Sequence, residues 1–307
     1  MEDYNKIIES LSVRFIKAKN IRILQPLTIT NYYDVENMVI YVHKGEIKYG
    51  KDKEVVREGE ILFVPGGKML PLTYGSGFPI SMSNDDFISK RDNFFSSFSY
   101  DELNSVEEEC FSYFNLDAKV FDSVNFFASL DIPPFVVRDN QTVKSLFFSI
   151  LKEHRSMVPG SKRIMKLQVD HLLVEVIRHI LNKQLFVEQL ATNSTYFKDP
   201  RLIDIFAFIK ENLESDLSNK VLANVANVSE DYVGQYFKML TGINPQDYIE
   251  YQRMETAVNL LRTSKKSIRE IGKDVGYKDT AYFCRRFKMM FGIPAGKMRR
   301  RESLINI

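Results

Sequence analysis

Cysteine and histidine are scarce in this sequence, two and four among 307 residues. Cys110 and Cys284 stand far apart with no Cys-x-x-Cys spacing, which excludes a disulfide framework and a thiolate metal site and leaves two ordinary thiols. Only His43 falls in the strand-rich N-terminal stretch; His154, His171 and His179 come later. The His-x-His cluster that a metal-dependent barrel enzyme requires is therefore missing. His171 and His179, eight residues apart, are too distant on one helix to chelate an ion without a partner. No catalytic residue, metal or cofactor is implied. A run of about 18 uncharged apolar residues is also lacking, and the first residues, MEDYNKIIES, are acidic and polar. Neither a membrane span nor a secretory signal is expected, and the chain reads as cytoplasmic.

Strong net charge is absent too, at +2, but the charge is unevenly placed. Residues 201–307 carry 18 Lys+Arg against 13 Asp+Glu, and residues 262–301 carry 13 basic against three acidic. A basic C-terminal segment on a slightly acidic N-terminal one predicts that one end meets a polyanion. A length of 307 residues exceeds one ordinary core and suggests about two domains.

What is present has two textures. Residues 21–80 alternate short apolar runs with turns: MVIYV (38–42), Gly45, EIKY (46–49), GKD (50–52), EVV (54–56), Gly59 and ILFVP (61–65). Such spacing predicts antiparallel β structure, a small barrel or sandwich. From about residue 101 the pattern becomes helical, with helices expected over 143–154 and 162–183. The second is apolar over much of its circumference, so it is either deeply buried or partner-bound. It is expected to pair with its symmetry mate through Leu172 and Val176. Of the 23 phenylalanines, 17 precede residue 200, which predicts an aromatic core. The stretch ATNSTYFKDP (191–200) has a linker's composition. The expected organisation is therefore a domain over 1–190, a linker over 191–200 and a second domain over 201–307.

Beyond the linker every segment reads as helix. Leu202, Ile205, Phe206 and Ile209 share a face. Leu222, Val225 and Ala226 line one short helix, Ser229 is placed to cap the next, and Val233, Phe237 and Leu240 point inward from it. A long helix follows from Pro245, with Ile249, Met254, Ala257, Leu260 and Leu261 as its core face. The grammar then repeats. Ile268, Ile271 and Val275 line a short helix, Gly276 supplies a turn and Asp279 an N-cap. Phe283, Phe287, Met290 and Phe291 then recur as a buried stripe. Each pair is a helix-turn-helix unit, and the two align through F-K-M-x-x-G-I at Phe237 and Phe287.

At this point the sequence resembles the AraC/XylS family of bacterial transcription regulators. The matching residues are Ile271, Gly276-Tyr277, Tyr282-Phe283, Arg286-Phe287-Lys288, Gly292 and Arg299, with Arg253, Ala257, Leu260 and Leu261 in the bridging helix. The match spans about 100 residues. It departs from the family pattern at Gly272, where Ala is usual, at Pro294, which comes one place early, and at Met298, where an aromatic is usual. The resemblance implies double-stranded DNA and RNA polymerase as partners and transcription activation, and the apolar helix over 162–183 adds the expectation of a homodimer. It also implies an α+β architecture: an N-terminal cupin-like β-barrel with helical extension, then an all-α domain with two helix-turn-helix motifs.

In the second unit Thr280, Ala281, Cys284 and Arg285 fall at positions that face bases in the family, with Lys278, Arg286 and Lys288 nearer phosphates. In the first unit the corresponding positions are Asp231, Gly234 and Gln235, flanked by Ser229 and Lys238. Gln235 suits adenine and Asp231 can accept from cytosine. The N-terminal stretch KGEIKYG...REGEILFVPGG resembles the sensor barrels of the family. An apolar barrel with a few polar groups is where a regulator holds a small effector, and Tyr41, His43, Tyr49, Phe63 and Lys68 are the candidates there. The rival readings are a catalytic or carbohydrate-handling cupin fused to a helical partner-binding domain, and a nonspecific architectural DNA binder.

Overall fold

The computed structural model describes residues 8–9, 11–120, 124–156, 158–187, 190, 199–241 and 244–299. Contacts divide the chain into two compact units, Met1–Val187 and Glu188–Ile307. Most of the linker expected over 191–200 lies outside the described residues.

The first unit is built on strands β1 (Leu11–Ile23), β2 (Leu27–Tyr32), β3 (Asn37–Lys44), β4 (Glu46–Tyr49), β5 (Glu54–Arg57), β6 (Ile61–Val64), β7 (Leu70–Tyr74), β8 (Ile80–Met82), β9 (Phe95–Ser97), β10 (Cys110–Val120), β11 (Val124–Asn125) and β12 (Phe135–Val137). One sheet runs β12-β6-β3-β10-β1-β9, with β11 beside β10; the other runs β5-β4-β7-β2-β8. Ile40, Val42, Ile47, Leu62, Leu72, Tyr74 and Phe111 meet in one core between them. A cupin-like barrel is expected from the sequence; among the described residues the strands form two sheets and no closed barrel. Gly45, at φ +86°, takes the chain out of β3, and β4 then pairs with β5 on one side and β7 on the other. That leaves two sheets with separate edges.

The central strand β3 is buried on both faces, which is why MVIYV reads as an unbroken apolar run. Its outer face is covered by α3 (Gln141–Arg155), which follows the short helices α1 (Asn84–Lys90) and α2 (Phe126–Ser129). Phe147 of α3 packs 5.7 Å from Tyr41 and 5.2 Å from Phe114, ring centre to ring centre. The Asn140 side chain starts α3 by accepting from the Val143 amide at 3.0 Å. Helix α4 (Ser161–Asn182) packs against α3 and β1. Leu172 and Val176, expected to meet a symmetry mate, are fully buried within this unit together with Val169, Leu173 and Ile180. What α4 leaves exposed is a narrower stripe at Ile164 and Leu167.

The described part of the second unit is helical: α5 (Pro200–Glu211), α6 (Asn219–Ala226), α7 (Glu230–Thr241), α8 (Pro245–Thr263), α9 (Ile268–Asp274) and α10 (Thr280–Phe291). Leu202, Ile205, Phe206, Leu222, Val233, Phe237 and Ile249 form the core around the first helix pair. Ile271, Val275, Phe283, Phe287 and Phe291 do the same in the second. Of the positions expected inside, Val225, Leu260, Ile268 and Met290 are half-buried, and the side chain of Leu240 lies outside the described residues.

Candidate nucleic-acid interface

Two helix-turn-helix units stand in tandem, α6–α7 and α9–α10, with α8 between them. In the first, Asn227 takes the left-handed conformation, φ +54°, that ends α6. The Ser229 carbonyl then accepts from the amides of Tyr232 and Val233, at 3.1 and 3.0 Å, to open α7. In the second, Ser267 and Glu270 form a capping box for α9. Gly276, φ +86°, makes the turn, and the Asp279 carboxylate accepts from the amides of Ala281 (2.7 Å) and Tyr282 (3.0 Å) to start α10. Those two amides hold the Asp279 carboxyl below its ordinary range. A side chain cannot replace the hydrogen of Gly276. Its Cβ would stand 2.4 Å from the Leu213 carbonyl oxygen and 2.8 Å from Arg253 Nη2. Gly272, where the family pattern has Ala, lies with its missing Cβ 3.3 Å from the Phe283 ring, a contact tighter than an ordinary one.

The buried backs of α7 and α10 fix which residues face outward. Asp231, Gln235 and Lys238 are exposed on α7 and Gly234 is half-buried. Its absent Cβ would meet only Asn219 Nδ2 at 3.4 Å, an ordinary contact. Ala281, Arg285 and Lys288 are exposed on α10, as is Lys278 just before it, while Thr280 and Cys284 are half-buried. Arg285 lies 6.0 Å from the Tyr282 ring, which limits where its guanidinium points. Arg286, expected nearer phosphates, is half-buried, and its Nε and Nη2 donate to the Glu250 carboxylate of α8, which raises its pKa further.

Sequence reasoning missed four outward residues. Tyr232 and Met239 on α7 are 44% and 66% exposed, and their counterparts Tyr282 and Met289 on α10 are 47% and 67% exposed. The signal was available, since both pairs recur at the 50-residue spacing of the repeat.

The five effector candidates do not converge. Tyr41 and His43 lie beneath α3, ring centres 4.8 Å apart. Phe63 stacks on Phe135 at 5.2 Å and meets Phe127 at 4.5 Å. Tyr49 belongs to the inter-sheet core and donates to Glu54 at 2.6 Å, and burial with this carboxylate pushes its pKa up. Lys68 is paired with Asp131 at 2.6 Å. Of the five only Tyr49 lines a cavity of about 400 Å³, whose other walls include Leu70, Pro134, Phe135, Arg138 and Phe186. Among the described residues no group of three or more His, Cys, Asp or Glu is placed to hold a metal ion.

A helix-turn-helix domain model matches residues 222–301. The Tn10 TetD protein of Escherichia coli is 31% identical over 114 residues, 37% of this chain and 83% of that protein. An uncharacterized HTH-type transcriptional regulator of Haemophilus influenzae is 25% identical over 154 residues, 50% of this chain. The chain spans about half (51%) of that relative's length. Among solved structures, ToxT from Vibrio cholerae O395 superposes with a TM-score of 0.51 at 11% identity, covering 96% of this chain and 99% of ToxT. An unsaturated fatty acid bound form of ToxT gives 0.50 at 9% identity over 94% of this chain and 95% of that one. These likenesses define a sheet-rich N-terminal unit joined to a tandem helix-turn-helix unit. The chain belongs to the AraC/XylS family of transcription regulators.

Proposed function

We propose that the protein regulates transcription by sequence-specific DNA binding. In this reading α7 and α10 enter successive major-groove segments on one face of a duplex, about one helical turn or 34 Å apart. The observation that carries it is the repeated helix with a buried aromatic back and an outward edge of small residues and long polar or cationic ones. A groove about 12 Å wide admits such an edge. Arg285 is suited to guanine, Gln235 to adenine and Asp231 to cytosine. Ala281, Thr280, Cys284 and Gly234 let the backbones approach, and Lys238, Lys278 and Lys288 neutralise phosphate. Ser229 opens the first reading helix.

The N-terminal unit we read as a cupin-like sensor for a small effector. The fatty acid bound by ToxT supports this. The cavity beside Tyr49 and Phe186 is the better candidate site, because apolar walls such as Leu70, Pro134 and Phe135 are joined there by the charged Asp52, Glu54 and Arg138. Transcription activation through RNA polymerase, a homodimer and a cytoplasmic location accompany the family reading; no helix among the described residues is long and apolar enough to cross a membrane.

Selection of binding sites from random duplexes by the purified chain tests this function. A preferred sequence with two half-sites is expected. Arg285→Ala should relax the preference at one or two base pairs, by about 1–3 kcal/mol of discrimination. Lys288→Ala should weaken every sequence alike and flatten log affinity against log salt by a slope of about 1. Recovery of no preferred sequence would leave a nonspecific binder, and equal weakening of all variants by Arg285→Ala would make its role positional.

A further inference from the structure

Helix α8 does more than connect the two reading helices. Glu250 and Arg253 lie three residues apart, on one face of α8, and each grips a different neighbour. The Glu250 carboxylate accepts from Nε and Nη2 of Arg286 on α10 and from the Tyr277 hydroxyl at 3.4 Å. Arg253 Nε donates to the Leu213 carbonyl at 3.0 Å and its Nη2 to the Ser215 carbonyl at 3.0 Å, both in the loop that leads into α6. The same guanidinium lies 5.9 Å from the Tyr277 ring. Gly276 closes the circle, with no room for even a Cβ between its backbone and both Leu213 and Arg253. Burial lowers the pKa of Arg253, and the nearby Tyr277, Asp216 and Glu250 act against that shift.

We infer that the Glu250–Arg286 pair is a clamp that fixes the separation and angle of the two reading helices, with Arg286 a positioning residue and not a phosphate contact. This rests on the DNA-reading function proposed above. The pair is bidentate and charge-assisted, with side chains only 19% and 33% exposed, so it resists both salt and rotation better than a surface pair. A guanidinium already neutralised by a carboxylate has little charge left to release counterions from DNA. Its neighbours Arg285 and Lys288 are exposed, and among the described residues neither has such a bidentate partner. The consequence is mechanical. One added base pair displaces the second half-site by about 3.4 Å along the duplex and rotates it by about 35°. A clamped pair of readers rejects that change, and a loosened pair tolerates it.

The test uses the full chain and the duplex that the unmodified protein selects, with one base pair inserted or removed between the half-sites, and a duplex carrying a single half-site. Glu250→Gln and Arg286→Lys should each weaken binding to the selected duplex by about 2- to 150-fold, the range of coupling between residues in contact, while binding the altered spacings no worse than the unmodified protein does. Single-half-site affinity should not move, and the salt slope of Arg286→Ala should match that of the unmodified protein. The exchange Glu250→Arg with Arg286→Glu should recover part of the spacing preference. Equal loss on every spacing and on the half-site, or a slope flattened by about 1 in Arg286→Ala, overturns the clamp. A readout without DNA separates this from failure of the functional reading. Spin labels at Lys238→Cys and Lys288→Cys, with Cys284→Ser, should give one narrow distance distribution that broadens in Glu250→Gln, and an unbroadened distribution rejects the clamp whatever the DNA experiments give.

Discussion

His43 is held neutral by what surrounds it. Its Nε2 lies 2.7 Å from the Ser112 hydroxyl, and that hydroxyl donates its one proton to Asn20 Oδ1, also at 2.7 Å. The Asn20 amide is oriented in turn by donation from Nδ2 to the Phe98 carbonyl. Nε2 of His43 must therefore carry the proton that Ser112 accepts. Burial and, secondarily, the charge of Lys144 lower its pKa to about 4. In an unfolded chain the same group titrates near 6.5. Between these values the unfolded state takes up a proton that the folded state refuses, so stability is lost as pH falls through this window. Burial lowers His154 and His179 and adds to the effect, while the raised Asp170 opposes it. From pH 7 to 5 the His43 contribution is at most about 2 kcal/mol, or roughly 4–8 °C in melting temperature at about 2–4 °C per kcal/mol. His43→Gln should keep a hydrogen bond to Ser112 and show a smaller drop in thermal melts over that range. An undiminished drop would place the acid sensitivity elsewhere.

At the scale of elements, the reading helices were legible because each carries its information locally. The 3.6-residue stripe of Phe283, Phe287 and Phe291, the Asp279 cap and the Gly276 turn lie within two dozen residues, and each is stated by residue type. Arg286 was not legible, since the group that redirects it, Glu250, is 36 residues away. Helix α4 shows the same limit. Its periodicity identifies an apolar circumference but not the partner that covers it. Most of that surface is covered by α3 and β1, so a charge at Leu172 strikes the core of its own unit. Burying a charge there without a partner costs several kcal/mol, and Leu172→Glu should unfold the first unit. If the proposed dimer forms through α4, it must use the exposed stripe at Ile164 and Leu167, which are 44% and 50% exposed. Leu167→Glu should then give folded monomers in sedimentation with an unchanged circular-dichroism spectrum. A folded dimer would move the interface off this helix.

At the scale of the molecule, the two units differ in how far apart their partners lie in sequence. Strand β1 pairs with β10 from Leu11 opposite Val120 onward, and the Gly45 crossing from one sheet to the other has no signature beyond a turn. The strands could be anticipated, but not their division into two sheets or the scatter of Tyr41, His43, Tyr49, Phe63 and Lys68 over four surroundings. The helical unit is local, and the TetD relative shows that such a domain makes up most of a whole protein, since the matched region is 83% of its length. A fragment comprising residues 188–307 should therefore fold and bind the selected duplex by itself. If the first unit holds two copies together, the intact protein has an advantage from effective concentration on a duplicated site, typically about 10²–10⁴-fold in avidity. The fragment should lose that advantage on the duplicated site, keep the same order of preference among single-base variants, and ignore any small molecule to which the intact chain responds. Titration of both forms on single and duplicated duplexes, with and without an unsaturated fatty acid as the first probe, makes the comparison. A fragment that binds no duplex at any concentration would mean that the helical unit depends on the first for its fold. A fragment whose affinity still shifts with the fatty acid would move the effector site out of the sheet-rich unit.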